Sequence, residues 1–453
     1  MAGYSEQIRP VLHLAPLSIK PYICGLFCST MHAPYQIQGL DTLTLARQFG
    51  LPLYLYDADR IIRQIDTFRS SFSGPDQKGK LKIKYAVKSL TNLSILRLMR
   101  MQGVEVDVVS VNEARLALMV GYNAGQIMYT PSGNAWPEIQ EAIALGLRLN
   151  VDSLPMLEQV GQTYGASVPV CLRINPSVAD GGNAKIQVGH INSKFGIPHQ
   201  YRAQIATLVA QYGMVVNGLH VHTGSDFKDA GTFLKGASVL FEMAADYPDL
   251  QFIDFGSGFK VAYREGDAVT DLAELGRKVS ATFQTFCQQY GRELELWFEP
   301  GKYLVSEAGH LLTEVNVVKQ HPTRRFVQVN SGLNHLIRPM MYDAWHDIVN
   351  VSNPEGTPTL YDVVGYICET DTFATDRMLP EVRTGDVLSF ENAGAYGYSM
   401  ASVYNLRERP AEVLIYEGEA HLIRQRDTFE DLTRGMVDVD VFTNEYSNVS
   451  NQN

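Results

Sequence analysis

The chain has no run of apolar residues near the roughly 18 that a membrane-spanning helix requires. Its first residues, which include Glu6, lack the compact apolar stretch of a secretory signal. A protein that is neither inserted nor exported is therefore expected. Basic runs are missing too. The 38 Lys and Arg stand against 49 Asp and Glu, a formal net charge of -11, so nothing tracks a nucleic-acid backbone. Cysteine is scarce: Cys24, Cys28, Cys171, Cys287 and Cys368 are scattered and odd in number. That usage fits a reducing, cytoplasmic setting better than a disulfide framework. Internal repeats and low-complexity tracts are also absent. What is present is a chain of 453 residues, 45% of them hydrophobic, long enough to bury the cores of two domains.

Cys24, Cys28 and His32 recur at a spacing of four, which would line one face of a helix as metal ligands. A structural zinc site wants four ligands, and Pro21, Gly25 and Pro34 oppose a regular helix. Residues 1–35 are expected to be an irregular N-terminal extension that binds no metal. Met31 offers an alternative start.

Beyond it, short β-branched runs alternate with amphipathic segments, the rhythm of βα units around a parallel sheet. The runs lie near residues 81–87, 105–110, 126–130, 148–152, 168–175, 215–223, 251–256 and 294–299. Eight runs suggest a closed (β/α)8 barrel, with an open doubly wound sheet as the alternative. Gly103 and Gly121 stand where the first helices should stop. After about residue 302 the chain becomes strand-like. Strands are expected near 311–319, 325–330, 359–367, 386–391, 411–416 and 420–424, with a short helix near 335–348. The expected organisation is thus a barrel with its leading segment over 36–302, a β-rich domain over 303–438 and a polar tail over 439–453.

One octet carries the chemistry. KIKYAVKS, Lys82 to Ser89, ends an apolar run on Lys88. A lysine that forms a Schiff base must spend time as a neutral amine, which burial favours. Because Lys82 and Lys84 alternate with Ile83 and Tyr85, a basic edge strand remains the alternative. The strand ends tip the balance. Barrel chemistry gathers at the C-terminal mouth, where Asp107 and Ser110, Arg173, His222 and Ser225, Gly256 and Gly258, and Glu299 all fall at or near strand ends. These types suit pyridoxal phosphate, whose electronics the protein tunes. Glu299 would face the pyridine nitrogen, His222 would stack on the ring, Arg173 would bond its phenolic oxygen, and the DFGSGF glycines with Ser225 would admit a phosphate.

From about Pro52 to Phe429 the chain resembles the alanine-racemase-fold pyridoxal phosphate decarboxylases. The matching segments are YAVKS, VDVVSVNEA, NSKFGI (with Lys194), HVHTGSD, DFGSGFKVAY, FEPGK, LIRPMMY, ICETD and GAYGYSMASVYN. The resemblance implies a homodimer whose active sites are each completed by the partner chain. It implies that Lys88 carries the cofactor, that Ser225, Gly258, Gly301 and Tyr396 surround the phosphate, and that Cys368, from the other subunit, donates the proton that replaces carbon dioxide. Glu369 would contact the substrate amine, while Arg338, Tyr342 and Lys302 would read a distal carboxylate. Lys302 departs from the family's arginine and offers charge without a planar fork. The implied reaction is decarboxylation of meso-2,6-diaminopimelate to L-lysine. Carboxynorspermidine or a basic amino acid is the alternative substrate, and a non-catalytic regulatory paralogue the alternative role.

Overall fold

The computed structural model describes residues 35–72, 80–177, 193–222, 224 and 230–439. The N-terminal cysteines, Met31, Ser225 and the tail from residue 440 lie outside these.

Eight parallel strands close on themselves: β1 (Leu81–Ala86), β2 (Glu105–Val108), β3 (Ile127–Tyr129), β4 (Arg148–Val151), β5 (Val170–Asn175), β6 (Val216–Val221), β7 (Phe252–Asp254) and β8 (Glu295–Phe298). β8 pairs with β1, and β5 pairs with β6, so the ring has no edge. All the expected barrel runs are present. The edge-strand alternative for the lysine octet falls with the closure, because β1 has neighbours on both sides.

The apolar runs are continuous because each strand is covered twice, by helices outside and by its facing strands inside. Every residue of β5 is buried. Ile83 and Tyr85 join the core beneath the helices. Lys84 points the other way, into the barrel, wholly buried, with Nζ 2.8 Å from Glu105 Oε2 and 3.9 Å from the centre of the Trp297 ring. Trp297 in turn stacks on Phe252 at 3.5 Å. The lysine alternation that looked like a solvated face is thus a charged plug inside the barrel, and burial pulls the Lys84 amine down despite Glu105.

The β-rich sheet departs from the expected boundary. Its long strand β9 (Gly309–Gln320) pairs with the N-terminal strand Leu53–Asp57, which also pairs in parallel with Ala411–Tyr416. Residues 53–57 therefore belong to the sheet of the C-terminal half, although they precede the barrel in sequence. Alternation explains the position. Leu53 and Leu55 pack with Leu312, Val413 and Ile415 on one face, while Tyr54 and Tyr56 cross to the other, where Tyr54 Oη donates to His335 O and Tyr56 Oη to Glu412 Oε1.

The six strands expected after residue 302 are present, joined by Ile348–Asn350 and Thr372–Pro380. The helix expected near 335–348 spans only Arg338–Tyr342, because Asp343 turns left-handed (φ 54°) and Ile348–Asn350 pairs with Val387–Phe390.

Candidate active site

The mouth of the barrel brings the expected residues together. Lys88 follows β1 in the single turn Val87–Ser89, and its Nζ lies 2.8 Å from Asp107 Oδ2 at the end of β2. Its side chain is 40% accessible while that of Asp107 is 1%. Burial was expected to lower the amine's pKa. Burial does pull it down, but the carboxylates of Asp107 and Glu299 outweigh that pull and hold the ammonium above its usual range. Lys88 is therefore held as a cation beside Asp107.

Arg173 on β5 is buried, its guanidinium 4.8 Å from the Phe195 ring centre, and burial lowers its pKa against the pull of Glu299, Asp152 and Asp107. His222 follows β6. Its Nδ1 accepts from Ser257 N at 3.1 Å, and burial together with Arg173 brings the imidazole down to about 3. The ring is therefore neutral near neutral pH. Glu299 follows β8. Burial raises its pKa, but His220, Lys88 and His222 override that and leave it well below the carboxylate range. Lys88, Arg173, His222 and Glu299 thus bias one another's protons across one mouth.

Sequence reasoning passed over the interior layer beneath them. His220, Asp254 and Asn150 are buried at 1%, 0% and 0%. His220 Nε2 is 3.2 Å from Glu299 Oε2, and Asn150 Nδ2 is 3.0 Å from His220 Nδ1. The signal was available, since a histidine, an aspartate and an asparagine interrupt runs that are otherwise apolar.

Gly256 shows how tightly the mouth is built. Its φ is +63°, and a Cβ there would lie 2.7 Å from Val221 O and 2.9 Å from His222 Nδ1. Its N–H is taken by Asp254 Oδ1 at 2.8 Å. This amide therefore braces the loop, and His222 likewise occupies Ser257 N–H. Gly256→Ala should cost about 2–4 kcal/mol of stability, read as a lower melting temperature, and should loosen His222.

Arg338 opens the helix Arg338–Tyr342 and is buried. Nη1 donates to Ala395 O at 3.1 Å, and the guanidinium sits 4.9 Å from the Tyr263 ring centre. The next residue, Tyr396 (φ 55°), donates its N–H to Ser89 O at 2.8 Å. Two consecutive residues thus tie Arg338 to the turn that carries Lys88. Nε of Arg338 is buried without a hydrogen-bond acceptor. Tyr342 and Lys302 are half-buried.

Cys368 and Glu369 stand elsewhere, exposed in the loop between the strands Pro358–Val364 and Thr372–Pro380. Cys368 Sγ is 3.4 Å from Glu369 Oε2 and 3.8 Å from Asn405 Nδ2, and Tyr404 Oη donates to Glu369 Oε1. These contacts are all with surface neighbours.

Pyridoxal phosphate fits this pocket. The carboxylate atoms Asp107 Oδ1 and Glu299 Oε1 are buried without donors, which a protonated ring and its substituents would supply, and Lys88 stands accessible between them.

A (β/α)8 barrel with a lysine at the end of its first strand, a neutral histidine and an ionised buried glutamate at its mouth, and an attached mixed β-sheet define a pyridoxal-dependent decarboxylase. Consistent with this, residues 58–306 match the family described as pyridoxal-dependent decarboxylase, pyridoxal binding domain. The diaminopimelate decarboxylase of Methanothermobacter thermautotrophicus is 36% identical over 88% of this chain and 94% of its own length. That of Escherichia coli is 35% identical over 88% and 98%. The crystal structure of the Helicobacter pylori diaminopimelate decarboxylase complexed with L-lysine superimposes with a TM-score of 0.80 at 31% identity, covering 87% of this chain and 98% of that one. The chain belongs to the diaminopimelate decarboxylase family.

Proposed function

We propose that the protein removes one carboxylate of meso-2,6-diaminopimelate, at the D-configured carbon, and releases L-lysine and carbon dioxide. The observation that carries this reading is Arg338: a buried guanidinium with an unpaired Nε, linked through Ala395 and Tyr396 to the turn bearing Lys88. A substrate with a second carboxylate at its far end satisfies that donor, whereas a simple diamine precursor does not.

The bound cofactor supplies an electron sink for the pair left by the departing carboxylate. The chain's residues do the rest. Lys88 gives up the proton that Asp107 now helps retain, so that its amine can hold the cofactor and later yield to the substrate amine. Glu299, ionised, favours a proton on the ring nitrogen. His222, neutral, offers a flat face without adding charge. Gly258, Gly301 and Tyr396 would hold the phosphate, a role the family resemblance extends to Ser225. Lys302, Arg338 and Tyr342 receive the distal carboxylate. Cys368 Sγ delivers a proton to the carbon that lost carbon dioxide, with Glu369 beside the substrate amine.

Cys368 and Glu369 are exposed and touch Tyr404 and Asn405, which supports a homodimer in which they serve the partner's mouth. Mixing two inactive proteins tests this. Lys88→Ala and Cys368→Ala, refolded or exchanged together, should regain about a quarter of wild-type activity, since half of the dimers are mixed and each of these carries one intact site of two. No recovery with dimers forming normally would count against the shared site. Lysine release from meso-diaminopimelate, with ornithine, arginine and carboxynorspermidine run in parallel, tests the substrate.

A further inference from the structure

Glu299 has a buried neighbour to which neither the family motifs nor the reading above assigns a task. His220 sits inside the apolar run of β6, 1% exposed, with Nε2 3.2 Å from Glu299 Oε2. Behind the ring, Asn150 Nδ2 lies 3.0 Å from His220 Nδ1 and 3.4 Å from Thr130 Oγ1. An amide that donates to Nδ1 leaves the one proton of a neutral imidazole on Nε2, the atom that faces the carboxylate.

Asp254 completes the group, with one ligand atom of each of His220, Asp254 and Glu299 within 4.8 Å of the others. Asp254 Oδ1 is already occupied by Gly256 N–H. Burial and the charge of Glu299 push its carboxyl well up, toward the neutral form. The loss of the Asp254 charge leaves Glu299 as the cluster's one ionised carboxylate, which suits a proton network better than a divalent ion.

We propose that His220 is a positioning residue for the cofactor: its Nε2 proton fixes Glu299 in one orientation and keeps the ionised carboxylate from capturing the proton it shares with the ring nitrogen. The proposal rests on the reading of Glu299 as that nitrogen's partner. A carboxylate with an imidazole Nε2 3.2 Å from one oxygen is a weaker base than a bare one, so the shared proton stays on the ring. The other titratable or charged groups around Glu299 include Lys88, Arg173, His222, Asp254 and the buried Cys171. Of these, His222 is neutral and accepts from Ser257, and Lys88 is engaged with Asp107.

The test uses the full chain and pyridoxal phosphate itself. Cofactor affinity is measured by equilibrium titration of the cofactor-free protein. The ionisation of Glu299 is read by infrared difference spectroscopy, with Glu299→Gln as the reference that removes the carboxyl. His220→Leu should weaken cofactor binding about 10–100-fold, the worth of one hydrogen bond to a charged group. It should also reveal a neutral carboxyl band that vanishes in the His220→Leu/Glu299→Gln double variant. His220→Gln, which keeps an N–H donor of similar reach, should restore most of the affinity. His220→Asn, polar but shorter, should behave like the leucine variant and stands in for it if that variant does not fold.

Wild-type affinity in both His220→Leu and His220→Asn, with Glu299 still ionised, would overturn the proposal. Failure of the underlying reading looks different, because then Glu299→Gln itself binds the cofactor as tightly as the wild type.

Discussion

Lys88→Ala is expected to fold, to bind pyridoxal phosphate only reversibly, and to lose decarboxylation by about 10⁴-fold or more. Borohydride reduction should fix the cofactor covalently to the wild type and not to the variant. The argument starts from the ion pair. Lys88 Nζ is held 2.8 Å from a carboxylate that is 1% exposed, so removing the amine strands Asp107. Breaking a buried pair costs about 3–5 kcal/mol, and less is expected here because water reaches the amine. The double variant Lys88→Ala/Asp107→Asn should recover melting temperature without recovering activity, which separates the structural role of the pair from its chemistry. The same pair sets a pH dependence. With its pKa raised, Lys88 is an ammonium at neutral pH, and the neutral amine that attacks the cofactor aldehyde becomes more abundant as pH rises. Uptake of pyridoxal phosphate by the cofactor-free protein should therefore accelerate by about tenfold per pH unit between pH 7 and 9. Asp107→Asn should shift that curve to lower pH.

How much of this was legible beforehand differs by element. The barrel strands could be read because each is buried on both faces and leaves an unbroken apolar run bounded by turns, as Val170–Asn175 does. Thr372–Pro380 was missed because its outer residues Asp376 and Met378 are exposed and blur the pattern. Leu53–Asp57 was assigned to the wrong half for a topological reason. Its partners, Gly309–Gln320 and Ala411–Tyr416, lie hundreds of residues away, and local alternation carries no record of which sheet a strand joins. The mouth was legible because catalytic side chains cluster where strands end. Lys84, Asn150, His220 and Asp254 were not, because polar residues within a strand read as a solvated face until closure of the ring turns that face inward.

Arg338→Ala carries the second large effect. Arg338 is 8% exposed, its guanidinium braced by Ala395 O and lying against Tyr263, so its charge is fixed in place with Nε left for an acceptor that could close a fork. A carboxylate that fills the fork gains charge-assisted hydrogen bonds worth about 1.5–3 kcal/mol. Loss of the fork should raise KM for meso-diaminopimelate about 100-fold, with kcat changed only a few-fold, because the distal carboxylate is bound equally before and during bond cleavage. L-lysine retains that carboxylate and should weaken as a competitive inhibitor by the same factor, whereas cadaverine, which lacks it, should inhibit both proteins alike. Arg338→Lys should recover only part of the affinity, since an ammonium supplies a point charge in place of a planar pair of donors. That comparison also weighs Lys302, which already stands where the family resemblance expects an arginine. If Lys302→Arg lowers KM in the wild type but cannot rescue Arg338→Ala, the buried fork at 338 sets substrate choice and the charge at 302 only supplements it. Equal KM values in wild type and Arg338→Ala would instead remove the distal carboxylate from the argument and point to a substrate without one.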